Sequence, residues 1–287
     1  MNPRPFRFGA VAALAPTAQA WQELARRAED LGYSTLLAPD TMATLEPFTA
    51  LAAAAAATAT LRVGTFVLPA PFYTPFEIAW RTLALDLLSG GRLELGLGAG
   101  RPAAETEVVH RERPFGSPAE RIKQLSDTIH IVKEEVSAAA DGHSLLKPVQ
   151  RPHPPILVAA GGRRMFQLAA AEADIITLGL DPATSEEGLA EKVAELRVIA
   201  GSRFDDIELS FNLSGVGTEL PDFLRYQMGV DPAELIRTGA PSILTGTPQE
   251  MADKLRRRRD ELGISYIAVN GMFLDKLAPV VELLAGT

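Results

Sequence analysis

The chain has 287 residues, 47% of them hydrophobic, and a formal net charge of -8: enough apolar material for a large core, and a charge that opposes nonspecific binding to nucleic acid or an anionic membrane. The absence of cysteine excludes disulfides, thiol catalysis, zinc–thiolate sites and iron–sulfur clusters. The stretch Met1 to Phe8 has no apolar signal-peptide core, and the alanine-rich run from Leu51 to Ala57 is far below the roughly 20 residues that span a bilayer, so a cytoplasmic protein is expected.

In chain order, Phe6 to Ala12 reads as a strand. Thr17 to Leu31 reads as a helix that buries Trp21, Leu24, Ala28 and Leu31 and ends at Gly32. Ser34 to Ala38 is a short buried strand with Asp40 just beyond its end. Pro47 to Thr58 is an alanine-rich helix able to pack closely, Arg62 to Leu68 a third strand and Pro75 to Leu88 a third helix. Ser89-Gly90-Gly91 supplies the left-handed residue that stops this helix, and from Arg92 onward Leu93, Leu95 and Leu97 alternate with period two. Gly96, Gly98 and Gly100 lack a β-carbon, which permits unusual backbone angles and leaves room for a flat or anionic ligand at the strand end.

One device marks four helix starts. Thr74-Pro-Phe-Glu77, Ser117-Pro-Ala-Glu120, Asp231-Pro-Ala-Glu234 and Thr247-Pro-Gln-Glu250 each place a capping oxygen, then proline, then glutamate three residues after the cap. They leave residues 101–116 outside regular structure, as a long excursion after the fourth strand of the kind that is usually functional or mobile.

Further on, Ile156 to Ala160 is a strand running into Gly161-Gly162 and a helix from Arg163, and Ile175 to Leu178 is another strand. Glu186 to Ala200 is helical, Ile207 to Leu213 a strand, Ser242 to Thr245 a short β segment, Ser265 to Val269 the last strand and Asp275 to Leu284 the closing helix. Arg256 to Arg259 lie on the helix capped by Thr247; four consecutive arginines cannot share one helical face, which predicts a solvated surface rather than a phosphate site. About eight strands, each followed by a helix, predict an α/β fold, a (β/α)8 TIM barrel with an extended loop after strand 4. No linker or composition shift divides the chain, so a single domain over 1–287 is expected.

Several constellations bear on function. Gly96-Leu-Gly-Ala-Gly100 has the spacing G-x-G-x-G with the next capped helix only at Pro118, whereas a Rossmann loop needs a helix directly after its glycines. Asp40, at the C-terminal end of the second strand, is placed by barrel geometry at the ligand-binding mouth; a loop-capping role is the alternative. In Ala159-Ala160-Gly161-Gly162-Arg163-Arg164, glycines run into a helix N-terminus whose free N–H groups and dipole attract phosphate, with two arginines adjacent; a plain strand–helix turn is the alternative. Gly161→Asp is therefore expected to weaken anion binding much more than folding. His110, His130, His143 and His153 show no ligand-like spacing, so no metal site is expected. His130 and His153 read as structural, and His110, in the long loop, as a substrate contact. There is no G-x-S-x-G elbow for a hydrolase triad.

The stretch Ser89-Gly-Gly-Arg-Leu-Glu-Leu-Gly-Leu-Gly-Ala-Gly100 resembles the signature that closes the fourth barrel strand in the bacterial luciferase-like superfamily of flavin and deazaflavin oxidoreductases. The resemblance continues through Ala28 to Tyr33, Pro39-Asp40, Thr60 to Thr65, Glu120-Arg121 and Arg151 to Gly162, and so covers nearly the full length. Leu244 to Thr247, followed by Leu262 to Tyr266, is similar to the branch that uses coenzyme F420. The resemblance implies an F420-dependent oxidoreductase moving a hydride to a C=C or C=N bond of a small molecule. An FMN-dependent monooxygenase fed by a partner reductase and a non-catalytic flavin-binding barrel are the alternatives. It implies a non-proline cis peptide at Phe66-Val67 under the cofactor's central ring, and cofactor contacts from Asp40, Phe66, Val67, Gly98, Gly100, Arg101, Ala160, Gly161, Gly162, Arg163 and Arg164. A small-molecule substrate and a homodimer are the partners expected.

Two departures from the family pattern matter. Many members have histidine after the acid at the second strand, where this chain has Thr41. Sugar-phosphate dehydrogenases of the deazaflavin branch have a proton-donating glutamate where this chain has Arg101, and arginine is no general acid near neutrality, so that activity is not expected. Arg101 is left to pair with a carboxylate or phosphate, or with Glu105. Asp40, Thr41 and His110 remain the catalytic candidates, and Arg101, Arg111, Arg113, Arg163 and Arg164 are expected to make the barrel mouth locally positive.

Overall fold

The computed structural model describes residues 3–221, 225 and 229–287. Eight parallel strands form its centre: β1 (Arg7–Val11), β2 (Thr35–Ala38), β3 (Arg62–Thr65), β4 (Leu93–Gly98), β5 (Ile156–Ala160), β6 (Ile175–Leu178), β7 (Glu208–Leu213) and β8 (Ile264–Asn270). Each pairs with its chain neighbour, β8 pairs with β1, and β3 with β4, which closes the ring. This is the (β/α)8 barrel the strand–helix alternation predicts. Outside it, Gly215–Val216 and Ile243–Leu244 make a two-stranded parallel sheet.

The helices follow the capping signals. Around the barrel run α1 (Ala18–Asp30), α2 (Pro47–Ala57), α3 (Pro75–Leu88), α4 (Glu105–His110), α5 (Pro118–Ala140), α6 (Arg163–Glu172), α7 (Glu186–Ala200), α8 (Pro232–Thr238), α9 (Pro248–Leu262) and α10 (Leu274–Leu284). Thr74, Ser117 and Thr247 form complete capping boxes. Asp231 departs from the pattern: its carboxylate takes the N–H of Ala233 at 3.0 Å and pairs with Arg225 at 3.1 Å. α2 is narrow because it is mostly alanine, and the Trp21 indole N–H reaches its Ala50 carbonyl at 2.7 Å.

Strand alternation sorts side chains into two cores. Outward-facing Phe8, Leu36, Val63, Leu95, Val158, Ile176, Leu209 and Ile267 pack under the helices. Inward-facing Leu37, Leu157, Ile175, Tyr266 and Ala268 fill the lumen. The lumen floor is ionic. Glu94, 2% exposed, accepts from Arg7 at 2.6 Å and Arg62 at 2.7 Å and from the Tyr266 hydroxyl at 3.2 Å. Arg7 also pairs with Glu208 at 2.6 Å and lies 4.1 Å over the Tyr266 ring. Two carboxylates thus answer two guanidinium groups, which makes these charges tolerable at this depth.

Two expectations are corrected. Residues 101–116 are not wholly irregular: they hold the turn Pro102–Ala104 and the six-residue α4. The helix has no side-chain cap and a single buried residue, Val108, so neither capping nor periodicity announced it. The Arg256–Arg259 run is not simply a solvated face. A rotation of about 100° per residue spreads it around α9, so Arg258 turns inward, 4% exposed, against Glu186 and the Pro241 carbonyl, and Arg259 lies 4.3 Å over the Phe6 ring.

The β3–β4 seam has one irregularity that shapes the mouth. The two strands pair only at Val63–Leu93 and Gly64–Glu94, and pairing resumes when Leu68–Pro69 lies beside Leu97–Gly98. In the gap, the Thr65 hydroxyl donates to the Gly96 carbonyl at 2.8 Å and accepts from the Gly96 N–H at 2.8 Å. One side chain satisfies both backbone groups that the bulge strips of ladder partners. Thr65→Val is expected to destabilise the fold by about 2–4 kcal/mol in chemical denaturation, since an isosteric side chain leaves both groups buried and unpaired, while Thr65→Ser stays within about 1 kcal/mol of the parent.

Candidate functional site

The C-terminal ends of the strands open on one mouth, as in every barrel of this class. Its ledge is Phe66-Val67, between β3 and the Leu68–Pro69 segment, and the peptide joining those two residues is cis. The glycines of β4 lie directly beneath. A Cβ at position 96 would stand 1.9 Å from the Thr65 carbonyl oxygen and 3.2 Å from Val67, and one at position 98 would stand 2.9 Å from Val67. Gly96 and Gly98 therefore make room for the ledge rather than for a ligand, which corrects the reading of their missing side chains. Phe66 and Val67 themselves are half-buried at the mouth. Gly100, with φ +82°, turns the chain toward Pro71 and Phe115.

Across the mouth, β5 runs through Gly161-Gly162 into α6. Gly162 is the N-cap, with no side-chain capping bond and no acidic residue in the first turn, and Arg163 and Arg164 are exposed there. The free N–H groups of that turn, the dipole and two guanidinium groups favour an anion. The two glycines differ. A Cβ on Gly162 would meet nothing within 4 Å, whereas one on Gly161 would lie 2.0 Å from the Gly179 carbonyl oxygen. Gly161→Asp would therefore disrupt the β5–β6 exit, contrary to the expectation that it spares folding. Ala160 is 1% exposed and packs in the outer core, and its carbonyl accepts from Gly179 N–H at 2.8 Å. Strand parity turns Ala159, half-buried, toward the mouth instead.

Asp40 is 6% exposed. It accepts from the Tyr73 hydroxyl at 2.8 Å and from Arg111 at 3.2 Å. Burial pushes its carboxyl pKa up, against the pull of Tyr73 and Arg111, and burial beside Asp40 raises the Tyr73 hydroxyl. Arg111 also lies 4.2 Å over the Phe72 ring, and Arg113 donates to the Pro71 and Tyr73 carbonyls at 3.0 and 2.8 Å. A second tie runs from the Met42 N–H to Glu107 at 2.6 Å. The segment 101–116 is thus pinned to the β2 and β3 loops, and Arg111 and Arg113 serve this pinning rather than a free positive field.

The remaining candidates are spread out. Thr41 is half-buried and takes part in a turn with Thr44. The His110 imidazole turns back to the Thr106 carbonyl of its own helix at 2.8 Å. Arg101 is exposed and forms no ion pair among the described residues, with Glu105 or otherwise. His130 pairs with Glu172 at 3.0 Å, and His153 reaches the Pro154 carbonyl at 3.0 Å. The sequence reading overlooked Tyr73, which no local pattern flags, and Asn212, which one did. Glu208, Ser210 and Asn212 recur every second residue along β7, the lumen-facing register.

A family model described as luciferase-like monooxygenase matches residues 5–216. An F420-dependent glucose-6-phosphate dehydrogenase of Kribbella flavida is 30% identical over 268 residues, covering 86% of this chain and 78% of that protein. The protein of the same name from Amycolatopsis mediterranei is 29% identical over 75% of this chain, a match that spans 66% of that protein's length. Among solved structures, a coenzyme F420 dependent tetrahydromethanopterin reductase from Methanopyrus kandleri superposes with a TM-score of 0.74 at 16% identity, covering 98% of both chains. A monooxygenase from Streptomyces bottropensis superposes at 0.68 and 22% identity, covering 96% of this chain and 97% of that one. At such identities the structural likeness speaks to the fold.

The two glycines before α6 separate binding from folding. Gly162→Asp is expected to keep or slightly raise thermal stability, aspartate being a good N-cap, while weakening binding of inorganic phosphate or a phosphorylated cofactor in calorimetry. Gly161→Ala is expected to cost about 2 kcal/mol or more, because the Gly179 backbone must move.

Proposed function

The chain belongs to the luciferase-like monooxygenase family, and we propose that within it the protein is an oxidoreductase that uses coenzyme F420, reducing a C=C or C=N bond of a small molecule. The observation that carries the cofactor reading is the pairing, at one barrel mouth, of the apolar Phe66-Val67 ledge with an open, uncapped helix N-terminus flanked by Arg163 and Arg164. The names of the relatives from Kribbella flavida and Amycolatopsis mediterranei point the same way.

These residues fit the group in shape and charge. Nothing would meet a Cβ at Gly162, so a phosphate has space to reach the first turn of α6, and the ledge offers a flat ring an apolar support. When bound in its reduced form, F420 would supply a hydride from its C5. The protein's part is to orient the ring on Phe66 and Val67, to hold the phosphate with the α6 N–H groups, Arg163 and Arg164, and to exclude water with the segment 101–116 pinned through Arg111 and Glu107. Asp40, buried and tied to Tyr73 and Arg111, acts here as the anchor of that cover. The sugar-phosphate activity of the named relatives is not carried over, because Arg101 supplies no proton to a reacting group.

The deazaflavin extends through its phosphodiester into a tail of several carboxylates, whereas FMN ends in one phosphate. The protein is expected to bind F420 more tightly than FMN at physiological salt, with an affinity that falls more steeply as salt is added. Arg163→Ala and Arg164→Ala are each expected to flatten that dependence, read from titrations at several salt concentrations. Tighter FMN binding with oxygen-dependent turnover would give the monooxygenase reading first place.

A further inference from the structure

Large apolar side chains stand exposed on the segments that ring the mouth, among them Leu14 at 65%, Met42 at 57%, Val109 at 66% and Met272 at 47%. They follow β1, β2, β4 and β8. β8, β1 and β2 are consecutive in the ring, and backbone contacts bind the loops together. Leu45 N–H donates to the Ala13 carbonyl at 3.0 Å, Met42 N–H to Glu107 on α4 at 2.6 Å, and a Cβ at Gly271 would lie 3.4 Å from the Val11 carbonyl oxygen. Exposed apolar side chains on adjoining segments at a barrel's ligand-binding end are suited to line a binding rim.

The charges of the mouth are committed elsewhere. Arg111 is held by Asp40, Arg113 by the Pro71 and Tyr73 carbonyls, and Glu107 by the Met42 N–H. Arg163 and Arg164 flank the phosphate position of the cofactor reading. Of Arg101, Arg111, Arg113, Arg163 and Arg164, Arg101 alone is left for an anionic substrate. The lumen-facing residues just below, Val11, Gly98, Ala159, Thr177 and Ala268, are uncharged. One exposed polar group joins them: Asn212, beside Ala268 in the register, above Ser210, whose hydroxyl is buried with no partner. The side-chain oxygen of Asn270, by contrast, is engaged by the Met272 N–H at 3.0 Å.

We propose that the substrate is an uncharged, largely apolar molecule held against Leu14, Met42, Val109 and Met272, with the Asn212 amide donating to a single carbonyl oxygen. The inference rests on the F420 reading for the commitment of Arg163 and Arg164, and it separates this protein's substrate from phosphorylated sugars. An apolar rim favours a neutral molecule over its carboxylate counterpart because the anion loses hydration there, and the one uncommitted cation, Arg101, is exposed to water, where an ion pair contributes little. Asn212 can donate to a ketone oxygen without a charge of its own.

The test compares 4-phenylbut-3-en-2-one, a neutral enone, with cinnamate, which carries a carboxylate on the same skeleton, and with glucose 6-phosphate. Each is titrated calorimetrically into protein saturated with oxidised F420, so that no turnover intervenes. The enone is expected to bind at least about tenfold more tightly than either anion. Val109→Asp and Met42→Asp are each expected to weaken it by about tenfold, and Asn212→Ala to weaken it by about fivefold, with F420 affinity and melting temperature unchanged. Equal or tighter binding of cinnamate or glucose 6-phosphate, no binding of the enone, or indifference to all three substitutions would overturn the proposal. F420 affinity is measured separately. If F420 fails to bind while the enone still binds and still responds to Val109→Asp, the cofactor reading falls and the substrate reading stands; if F420 binds and the enone does not, the reverse holds.

Discussion

The Thr65 carbonyl oxygen occupies the space where any residue but glycine at position 96 would carry its β-carbon, and Val67 occupies the space above Gly98. This close approach joins the barrel to its mouth. It lets β3 leave the ladder without opening the lumen, and it presents Phe66 and Val67 as a ledge over β4. The Thr65 hydroxyl makes the departure tolerable by bonding both Gly96 backbone groups. The same residues that close the sheet therefore create the surface on which the proposed ring rests.

Below and around that ledge the chain separates charge from apolar surface. Arg7, Arg62, Glu94 and Glu208 answer one another at the closed end of the lumen. Arg92 donates to the carbonyls of Ala55, Leu61 and Ser89 and so joins the end of α2 to the start of β4. Arg258 is buried against Glu186 on the outer face. Many of the arginines thus bind the fold together, a role for which a planar, multiply donating cation is well suited. At the mouth, Arg163 and Arg164 remain exposed on one side of the ledge, and apolar loop residues on the other. In the proposed reading, that asymmetry separates a cofactor side from a substrate side.

Much of this was legible in the sequence because it is written in local patterns. The Pro-x-Glu boxes located helix starts, period-two alternation located strands, and their order implied the barrel. The signature from Ser89 to Gly100 located the mouth, and the family resemblance implied the cis peptide that the structure has at Phe66-Val67. What escaped depends on partners distant in the chain. Arg111 and Arg113 read as free positive charge because Asp40, Pro71 and Tyr73 lie far away in sequence. Gly161 read as room for phosphate because its neighbour, Gly179, lies just past the end of the next strand. The helix α4 has no cap and one buried side chain, too little signal for periodicity. Ala160, by contrast, was a matter of parity: its neighbours on β5 already said that Ala159 faces the lumen.

The account turns on where the cofactor sits, and a crystal structure of the protein with F420 tests this directly. The deazaflavin ring is expected against Phe66 and Val67, with phosphodiester oxygens within hydrogen-bonding distance of the N–H groups that open α6 and of Arg163 or Arg164. A ring lying away from the ledge, or a phosphate held by other residues while the α6 N-terminus stays empty, would contradict it.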